Sequence, residues 1–240
     1  MHKDHKDNKL NAFTLLVAVV VVTLMAVTAA AEGRQVFPPK ENEQIKAGVG
    51  LQGICPSYFA IVKVSDFPYS DMGSGSFIAR NTVLTCAHNV RDFHVGGKGK
   101  LTVQSHDGTV YRNVSVLVYE PELDIAVLRI EDFDGSGTHS TIRLGTEPVS
   151  GESVYSIGWV PRTSQVELYV GLMTDEFSGR SGSSFGYKTW VNHTSQVVQG
   201  MSGGPLLNSK GRLVGVNISN NPITLDGCSV RTQFISKYFD

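Results

Sequence analysis

The amino-acid sequence predicts an all-β protein made of two six-stranded antiparallel β-barrels, with a short helix at its C-terminal end. Short runs rich in β-branched and aromatic residues recur at roughly ten-residue spacing, which is typical of barrels and sandwiches. Turn signals separate these runs, among them HDG, DGSG, SKG and NNP. Apart from the final RTQFISKYF, no stretch beyond the N-terminal segment has a sustained helical period. About a dozen strands divide naturally into two barrels of six.

The predicted strands fall into two groups along the chain. We expect residues 57–138 to form the first barrel, from runs at 58–64, 74–79, 82–87, 101–105, 109–119 and 124–130. We expect residues 139–240 to form the second barrel, from runs at 152–158, 165–171, 188–191, 203–208 and 212–219. The glycine-containing segment DGSGTHSTIRLGTE, at 134–147, would join them.

The first 31 residues have the pattern of a secretory signal peptide. Lysines precede an almost wholly apolar run, and Ala29 and Ala31 have the spacing of an A-x-A cleavage signal. We expect cleavage after about Ala31; the alternative is an uncleaved anchor, because about 20 apolar residues can span a bilayer. Residues 32–56 predict an N-terminal arm or a short pro-segment. We therefore expect the globular part to be secreted, extracellular or periplasmic.

Composition limits the classes of function. The 240 residues carry a formal net charge of −1 and are 41% hydrophobic, which supports an apolar core and gives no support to a nucleic-acid partner. The sequence has no Cys-x-x-Cys motif and no His/Cys cluster, so it predicts no metal site. In an oxidising compartment Cys55 and Cys228 could pair, which would leave Cys86 as a buried, inert thiol.

One loop presents a serine in an unusual setting. In VVQGMSGGPLLN, residues 197–208, Ser202 is flanked by glycines and followed by Pro205 and an apolar run. Glycine permits unusual backbone angles and the close approach of a ligand, so the loop indicates that Ser202 is presented rather than packed. A tight turn into a buried strand explains the same residues. A serine nucleophile also needs a base, and that base must be held in one tautomer.

His88 and Asp124 are the candidates for the base and the acid. His88 follows FIARNTVLTCA and so stands at the end of a predicted buried strand, where a polar ring needs a reason. Asp124 opens the apolar strand DIAVLRI, where a carboxylate is costly unless it is paired; the alternative is a strand-capping role. We expect His193 on the surface, although it could border a substrate pocket. The remaining histidines are expected in the leader or in solvent: His2, His5, His94, His106 and His139.

The order of these residues separates two classes of hydrolase. GMSGG matches the G-x-S-x-G elbow of α/β-hydrolases, but no histidine follows Ser202, and Pro205 disfavours the helix that such an elbow opens. The segments LTCAHNV, LDIAVL and GMSGGPLLNSKGRLVGVN, in the order His, Asp, Ser, resemble the trypsin-like serine endopeptidases of chymotrypsin fold. The resemblance covers the chain from about residue 36 to its end. It is greatest to the bacterial branch that contains the V8-type glutamyl endopeptidases and the HtrA proteases.

This resemblance implies a site between two chymotrypsin-like barrels. His88 and Asp124 would come from the first barrel and Ser202 from the second, and the backbone N–H groups of Gly200 and Ser202 would form the oxyanion hole. Relatives usually carry Asp or Asn at the position of Met201. We expect the methionine to accept none of the hydrogen bonds that the polar side chain normally accepts in this loop.

The resemblance also implies the location of the substrate pocket. Its lining would consist of Gln196, Val197, Val198, Asn217, Ile218 and Ser219. Enzymes that cut after Lys or Arg carry Asp at the position of Gln196, and V8-type enzymes carry His at the position of Asn217. Without these charged or titratable groups, we expect a neutral and partly apolar pocket.

The sequence therefore predicts a secreted serine endopeptidase that acts on polypeptide substrates through an acyl-enzyme. We expect a monomer without a cofactor, without a nucleic-acid partner, and with membrane contact only if the leader remains as an anchor. One alternative is a weakly active or inactive homologue that serves as a binding or regulatory protein. Another is an acyl hydrolase that uses the same fold to cleave esters.

Overall fold

The computed structural model describes residues 56–66, 69–135, 137–178, 188–223 and 225–239. The predicted signal segment 1–31, residues 32–55 of the predicted arm and Cys55 lie outside the described residues. Within the described ranges, no helix has both the length and the apolar character needed to cross a membrane.

The first seven strands form one antiparallel sheet in the order β5-β4-β1-β2-β3-β7-β6. The strands are β1 (Phe59–Asp66), β2 (Tyr69–Ala79), β3 (Thr82–Thr85), β4 (Lys100–Ser105), β5 (Val110–Tyr111), β6 (Val114–Glu120) and β7 (Ile125–Ile130). A single 3₁₀ turn, His88–Val90, and a one-turn helix α1, Arg91–His94, follow β3. The sequence did not predict these two turns.

This first sheet differs from the predicted closed, six-stranded barrel. The run expected at 109–119 is interrupted at Arg112 and Asn113, so it contributes two strands instead of one. No hydrogen-bonded ladder joins β5 to β6 among the described strands, and the sheet stays open there. A strand of only two residues offers few ladder hydrogen bonds with which to close a barrel.

The last six strands form a closed antiparallel barrel in the order β10-β13-β12-β11-β8-β9. The strands are β8 (Ser153–Val160), β9 (Gln165–Ser178), β10 (Trp190–Gln196), β11 (Pro205–Asn208), β12 (Leu213–Asn220) and β13 (Asp226–Arg231). Helix α2 (Thr232–Ile235) and a 3₁₀ turn (Ser236–Tyr238) then end the described chain, as RTQFISKYF predicted. The all-β prediction and the six-stranded second barrel are confirmed, although β13 was not among the predicted strands.

A shared apolar core joins the sheet and the barrel. One buried cluster contains Leu84 and Ile125 from the sheet together with Ile157, Leu207 and Val216 from the barrel. A second cluster lies within the sheet, around Phe77 and Leu128. Because the largest cluster crosses from one half to the other, the segments that carry the candidate site are held against each other by buried apolar surface.

His139, in the segment between the two halves, corrects one sequence expectation. It was expected in solvent, but it is buried and its ring stacks on Phe77 with centroids 3.7 Å apart. Its Nε2 lies 2.7 Å from the carbonyl oxygen of Arg80, to which it donates a hydrogen bond. His94, in contrast, is exposed as expected.

Candidate active site

His88 and Asp124 form a hydrogen-bonded pair at the end of β3 and the start of β7. Nδ1 of His88 lies 2.6 Å from Oδ2 of Asp124, and the backbone N–H of His88 donates to Oδ1 at 2.9 Å. The N–H of Ala87 also donates to the carbonyl oxygen of Asp124, at 3.1 Å. Both carboxylate oxygens therefore hold the same histidine, which fixes the ring orientation and keeps the proton on Nδ1.

The backbone of Asp124 adopts a conformation that is uncommon for a residue with a side chain. Its φ is +60°, in the left-handed region, where aspartate is among the better tolerated residues. The cost of such a conformation, of order 1–3 kcal/mol, is offset by surrounding contacts. Here these contacts are the three hydrogen bonds to Ala87 and His88 and the burial of Leu123 and Ile125 on either side.

Ser202 lies in the loop between β10 and β11, and the segment that carries His88 is bonded to this loop. The side-chain amide of Asn89, the residue after His88, donates to the carbonyl oxygen of Ser202 at 2.8 Å. The N–H of Ser74 on β2 donates to the same oxygen, also at 2.8 Å. The Ser202 hydroxyl donates to the carbonyl oxygen of Ile218 at 3.3 Å, and Nε2 of His88 makes no hydrogen bond to any described residue.

Two glycines give the Ser202 loop its shape. Gly200 has a φ of +91°, and a Cβ there would lie 2.5 Å from the carbonyl oxygen of Trp159. Gly203 has a φ of +85°, and a Cβ there would lie 2.2 Å from the carbonyl oxygen of Ser74. Within the described part of the chain, the N–H groups of Gly200 and Ser202 donate to no other residue. Both donors remain available for an acceptor on a ligand.

Met201 is integrated into the loop. Its side chain is fully buried with Val160 and Val197. Its sulfur accepts the backbone N–H of Val198 at 3.4 Å, and its own N–H donates to the carbonyl oxygen of Val198 at 3.0 Å. Met201 accepts this one backbone hydrogen bond because a thioether sulfur is a weak acceptor. The expectation that it accepts none of the bonds that Asp or Asn accepts in relatives stays a prediction.

The predicted pocket residues differ in how much of each side chain is accessible. Val197 and Ile218 are buried, Gln196 and Val198 are partly buried, and Ser219 is exposed. Asn217 is fully buried inside the barrel: its Oδ1 accepts from the hydroxyls of Ser156 and Ser229, and its Nδ2 donates to the carbonyl oxygen of Pro205. The side-chain amide of Asn217 is thus engaged within the protein, whereas its sequence position implied contact with substrate.

His193 is a second buried histidine, and its predicted surface position was wrong. It is fully buried, and Nε2 lies 2.9 Å from the hydroxyl of Ser229. Since Ser229 donates to Asn217, its oxygen must accept from Nε2–H of His193. Burial lowers the pKa of His193 to about 4, against the opposing effect of the Ser195 backbone, so the ring is neutral at physiological pH.

Cys86, His88 and Asp124 bring three potential metal ligands within 4.8 Å of one another. The Cys86 thiol is fully buried and donates to the carbonyl oxygen of Asn217 at 3.2 Å. Burial, aided by the nearby Asp124 charge, raises the pKa of this thiol well above 9.0. A metal-binding cysteine is a thiolate, so the group fits a hydrogen-bonded His–Asp pair beside an inert thiol better than a metal site. The proposed disulfide of Cys228 stays a prediction, because Cys55 lies outside the described residues.

Sequence reasoning missed the residues that connect the two halves around Ser202. These are Ser74 and Asn89, whose partners lie up to 126 positions away in the chain. Thr85 bonds to both of them, since it donates to Ser74 and accepts from Asn89. The one available signal was the run MGSGSF on β2, in which small residues replace the apolar ones expected on a buried strand. Small residues at such a position indicate close approach of another backbone.

The comparisons with known proteins agree on one family. A family model described as "Trypsin-like peptidase domain" matches residues 73–216, more than half of the chain. A putative protease Do-like 14 of Arabidopsis thaliana is 31% identical over 177 residues, which are 70% of this chain and 40% of that protein. The serine protease HTRA1 of Xenopus laevis is 29% identical over 152 residues, 60% of this chain and 30% of that protein. The chain therefore spans less than half the length of these two relatives.

Solved structures show the same fold. A serine endoprotease from Yersinia pestis superimposes with a TM-score of 0.65 at 20% identity, covering 84% of this chain and 65% of the other. The active form of the Rv3671c protease from M. tuberculosis superimposes with a TM-score of 0.64 at 19% identity. The match covers 85% of this chain and 88% of the other. Further similar structures are HtrA-type proteases. These comparisons support the HtrA part of the predicted resemblance, and the V8 part stays a prediction.

Proposed function

Because the chain belongs to the trypsin-like peptidase family, with HtrA-type and Do-like serine proteases among its relatives, we propose that it is a serine endopeptidase that cleaves polypeptides through an acyl-enzyme. The observation that carries the proposal is the 2.6 Å pair of His88 and Asp124 on a segment that is itself bonded to the Ser202 peptide through Asn89. An oriented base beside a glycine-flanked serine is the arrangement that nucleophilic acyl transfer requires.

In the proposed reaction, Ser202, His88 and Asp124 act on the scissile bond and a water molecule completes the hydrolysis. The Ser202 hydroxyl rotates away from the Ile218 carbonyl, gives its proton to Nε2 of His88 and attacks the scissile carbonyl carbon. Asp124 keeps the proton on Nδ1 and stabilises the imidazolium. The N–H groups of Gly200 and Ser202 hold the oxyanion. His88 then protonates the leaving amine, and a water molecule hydrolyses the acyl-enzyme with the same histidine as base.

The substrate backbone is proposed to lie along β12. The ladder between β11 and β12 ends at Pro205 and Val216, and Asn217 still exchanges backbone hydrogen bonds with Gly203 and Gly204. Beyond Asn217, Ser219 and Asn220 pair with β13. Residues Ser219 and Asn220 therefore form a strand edge close to the Ile218 carbonyl that Ser202 contacts. An extended peptide binds such an edge by adding a strand to the sheet.

The proposed specificity is for a small or aliphatic residue on the acyl side of the cleaved bond. Val197 and Ile218 are apolar, and the neutral His193 lies close to Val197, since a Cβ on Gly227 would touch both side chains. A glutamate would find no cation among these groups. Asp226 and Glu176 line the same cavity as Ser219, and Asp226, which pairs with Gln196 in register, would favour Lys or Arg if it faced the substrate.

We also propose that the protein is secreted and acts on polypeptides as a monomer. Secretion rests on the leader pattern of residues 1–31, which predicts a mature chain that begins after about Ala31. Mass spectrometry of the exported protein tests this directly. A mature form that still carries residues 1–31 would favour the anchor.

The proposed activity is tested by incubating a mixed peptide library with the wild type and with Ser202→Ala, and sequencing the products. We expect cleavage by the wild type after small aliphatic residues, and loss of essentially all cleavage in the variant with unchanged circular dichroism. Cleavage after Lys or Arg would instead assign Asp226 to the pocket. Equal products from both proteins would refute the nucleophile, and hydrolysis of activated esters but not of peptides would favour the acyl hydrolase. If the folded wild type cleaves neither, a binding or regulatory role becomes the better account.

A further inference from the structure

We infer that Ser74, on β2 of the first sheet, is a positioning residue that holds the peptide loop of the proposed oxyanion hole. The inference rests on the proposed function and goes beyond it, because it gives a residue outside the His, Asp and Ser set a defined effect on the rate. Ser74 connects the first sheet to the Ser202 loop of the barrel through direct hydrogen bonds.

Ser74 makes four hydrogen bonds at full burial. Its hydroxyl donates to the carbonyl oxygen of Gly200 at 2.7 Å and accepts the backbone N–H of Trp159 at 2.8 Å. Its backbone N–H donates to the carbonyl oxygen of Ser202 at 2.8 Å. Its own carbonyl oxygen accepts the hydroxyl of Thr85 at 2.7 Å. One residue thus contacts the loop on both sides of Met201.

These contacts fix the peptides that flank the proposed oxyanion donors. The carbonyl of Gly200 belongs to the peptide between Gly200 and Met201, and the carbonyl of Ser202 belongs to the peptide between Ser202 and Gly203. The N–H of Ser202 lies on the peptide between them, and the N–H of Gly200 lies immediately before. When both carbonyls are held by β2, the peptide that carries the N–H of Ser202 lies between two restrained peptides, and the peptide that carries the N–H of Gly200 is restrained on its C-terminal side.

Gly200 makes this restraint necessary. A glycine with φ of +91° has no Cβ to limit rotation of its neighbouring peptides. The Ser74 hydroxyl is the only donor to the Gly200 carbonyl among the described residues. Without it, the carbonyl would be buried without a partner in this orientation, and other orientations of the loop would become competitive. An oxyanion hole depends on donors that are oriented before the reaction begins.

A hydroxyl is the group that the position requires. It must accept from Trp159 and donate to Gly200 at the same time, which a serine or threonine oxygen does and an alanine cannot. The space is also limited, since a Cβ on Gly204 would lie 3.1 Å from Cβ of Ser74. Serine satisfies both demands.

Ser76 is a matched control on the same strand. It lies two residues further along β2, so its side chain is on the same face. It is buried to nearly the same extent, and its hydroxyl has no hydrogen-bond partner among the described residues. Ser76→Ala and Ser74→Ala remove the same atom from similar surroundings, but only Ser74→Ala removes a contact to the loop.

The test compares the two variants with the wild type in peptide hydrolysis, in inhibition by a peptide boronic acid, and in hydrogen exchange of the loop. A boronic acid forms a tetrahedral adduct on the serine and so reports the oriented donors. We expect Ser74→Ala to lower kcat by about 10–10²-fold, less than the loss of a whole oxyanion donor, with little change in KM. The affinity for the boronic acid should fall by a similar factor, and the backbone amide hydrogens of residues 199–204 should exchange faster with solvent. Ser76→Ala should stay within about threefold of the wild type.

The outcomes separate this inference from the proposed function. If the wild type hydrolyses peptides and both variants match it in kcat, boronic acid affinity and loop exchange, the inference is wrong. A Ser74→Ala protein that loses stability but keeps kcat and boronic acid affinity would show a structural role only. If the wild type has no Ser202-dependent hydrolysis, the proposed function fails, and loop exchange alone decides: faster exchange in Ser74→Ala supports the positioning role, and equal exchange overturns it.

Discussion

At the scale of single residues, the site depends on polar side chains that are held from several directions. Asp124 uses both carboxylate oxygens on His88, and a strained backbone angle accompanies that arrangement. Inside the barrel, the His193 ring satisfies Ser229, which in turn satisfies Asn217. The substitution of one member of such a network leaves the buried polar atoms of its partners without a hydrogen bond.

The substitution Asp124→Asn is expected to lower kcat by about 10⁴-fold with little change in KM. The amide cannot hold the proton on Nδ1 of His88 as the carboxylate does, so Nε2 ceases to be a ready base. Steady-state hydrolysis of a peptide substrate measures the effect. The exposed Asp71 on β2 provides the control, since Asp71→Asn changes the same charge at a residue outside these contacts. Equal activities of the two variants would contradict the assignment of Asp124.

The burial of His193 predicts a pH-dependent stability. Its pKa is about 4 in the folded chain, against about 6.5 in the unfolded chain. Between these values only the unfolded chain binds the proton, so the free energy of unfolding decreases as the pH falls from 6.5 to 4, by on the order of 3 kcal/mol.

Urea unfolding of the wild type and of His193→Gln at pH 7, 5.5 and 4 measures this contribution. Glutamine keeps a neutral donor for Ser229 but does not titrate, so the difference between the two proteins should shrink as the pH falls. If the free energies of unfolding of the two proteins change in parallel across this pH range, His193 does not cause the pH dependence of stability.

At the scale of elements, the Ser202 loop is shaped by glycines whose roles differ from those of other glycines with positive φ. Gly200 is enclosed by Pro161 and Trp159, whereas Gly151, with a φ of +84°, has nothing within 4 Å of a Cβ position.

We therefore expect Gly200→Ala to lower kcat by about 10²–10³-fold. Gly151→Ala should cost about 1 kcal/mol of stability and leave the activity unchanged. Hydrolysis rates and thermal unfolding of both variants measure this, and an active Gly200→Ala protein would argue against an oxyanion role for the loop.

The same scale shows what the sequence could predict and what it could not. Alternation of apolar residues identified most strands, and His88, Asp124 and Ser202 were each found at the end of a strand or in a loop. β13 (Asp226–Arg231) was missed because DGCSVR is short and polar, although its buried positions nearly alternate. His139 and His193 were misplaced because their neighbours in sequence are polar, while their surroundings are set by Phe77 and by closure of the barrel. Ser74 could not be assigned at all, since its partners are distant in the chain.

At the scale of the whole molecule, the described sheet and barrel share one apolar cluster. We expect them to unfold in one cooperative transition, because each half loses the buried surface of the shared cluster when the other unfolds. Both tryptophans, Trp159 and Trp190, lie on barrel strands, so fluorescence reports the barrel alone.

The substitution Leu84→Ala, in β3 of the sheet, tests this coupling. It should lower the free energy of unfolding by about 2–5 kcal/mol and shift the fluorescence transition of the barrel together with the circular dichroism transition. Leu117→Ala, at an exposed position on β6, should change stability by about 0.5 kcal/mol or less. A fluorescence midpoint that does not move in Leu84→Ala would mean that the halves unfold independently.

The measurement that tests the central claim most directly is covalent labelling of the intact protein with a fluorophosphonate, followed by peptide mass spectrometry. The account predicts one adduct per chain, on Ser202, with the labelling rate reduced at least 10³-fold in His88→Ala because the hydroxyl loses its base. Labelling at another residue, or an equal rate in His88→Ala, would contradict a serine nucleophile activated by His88.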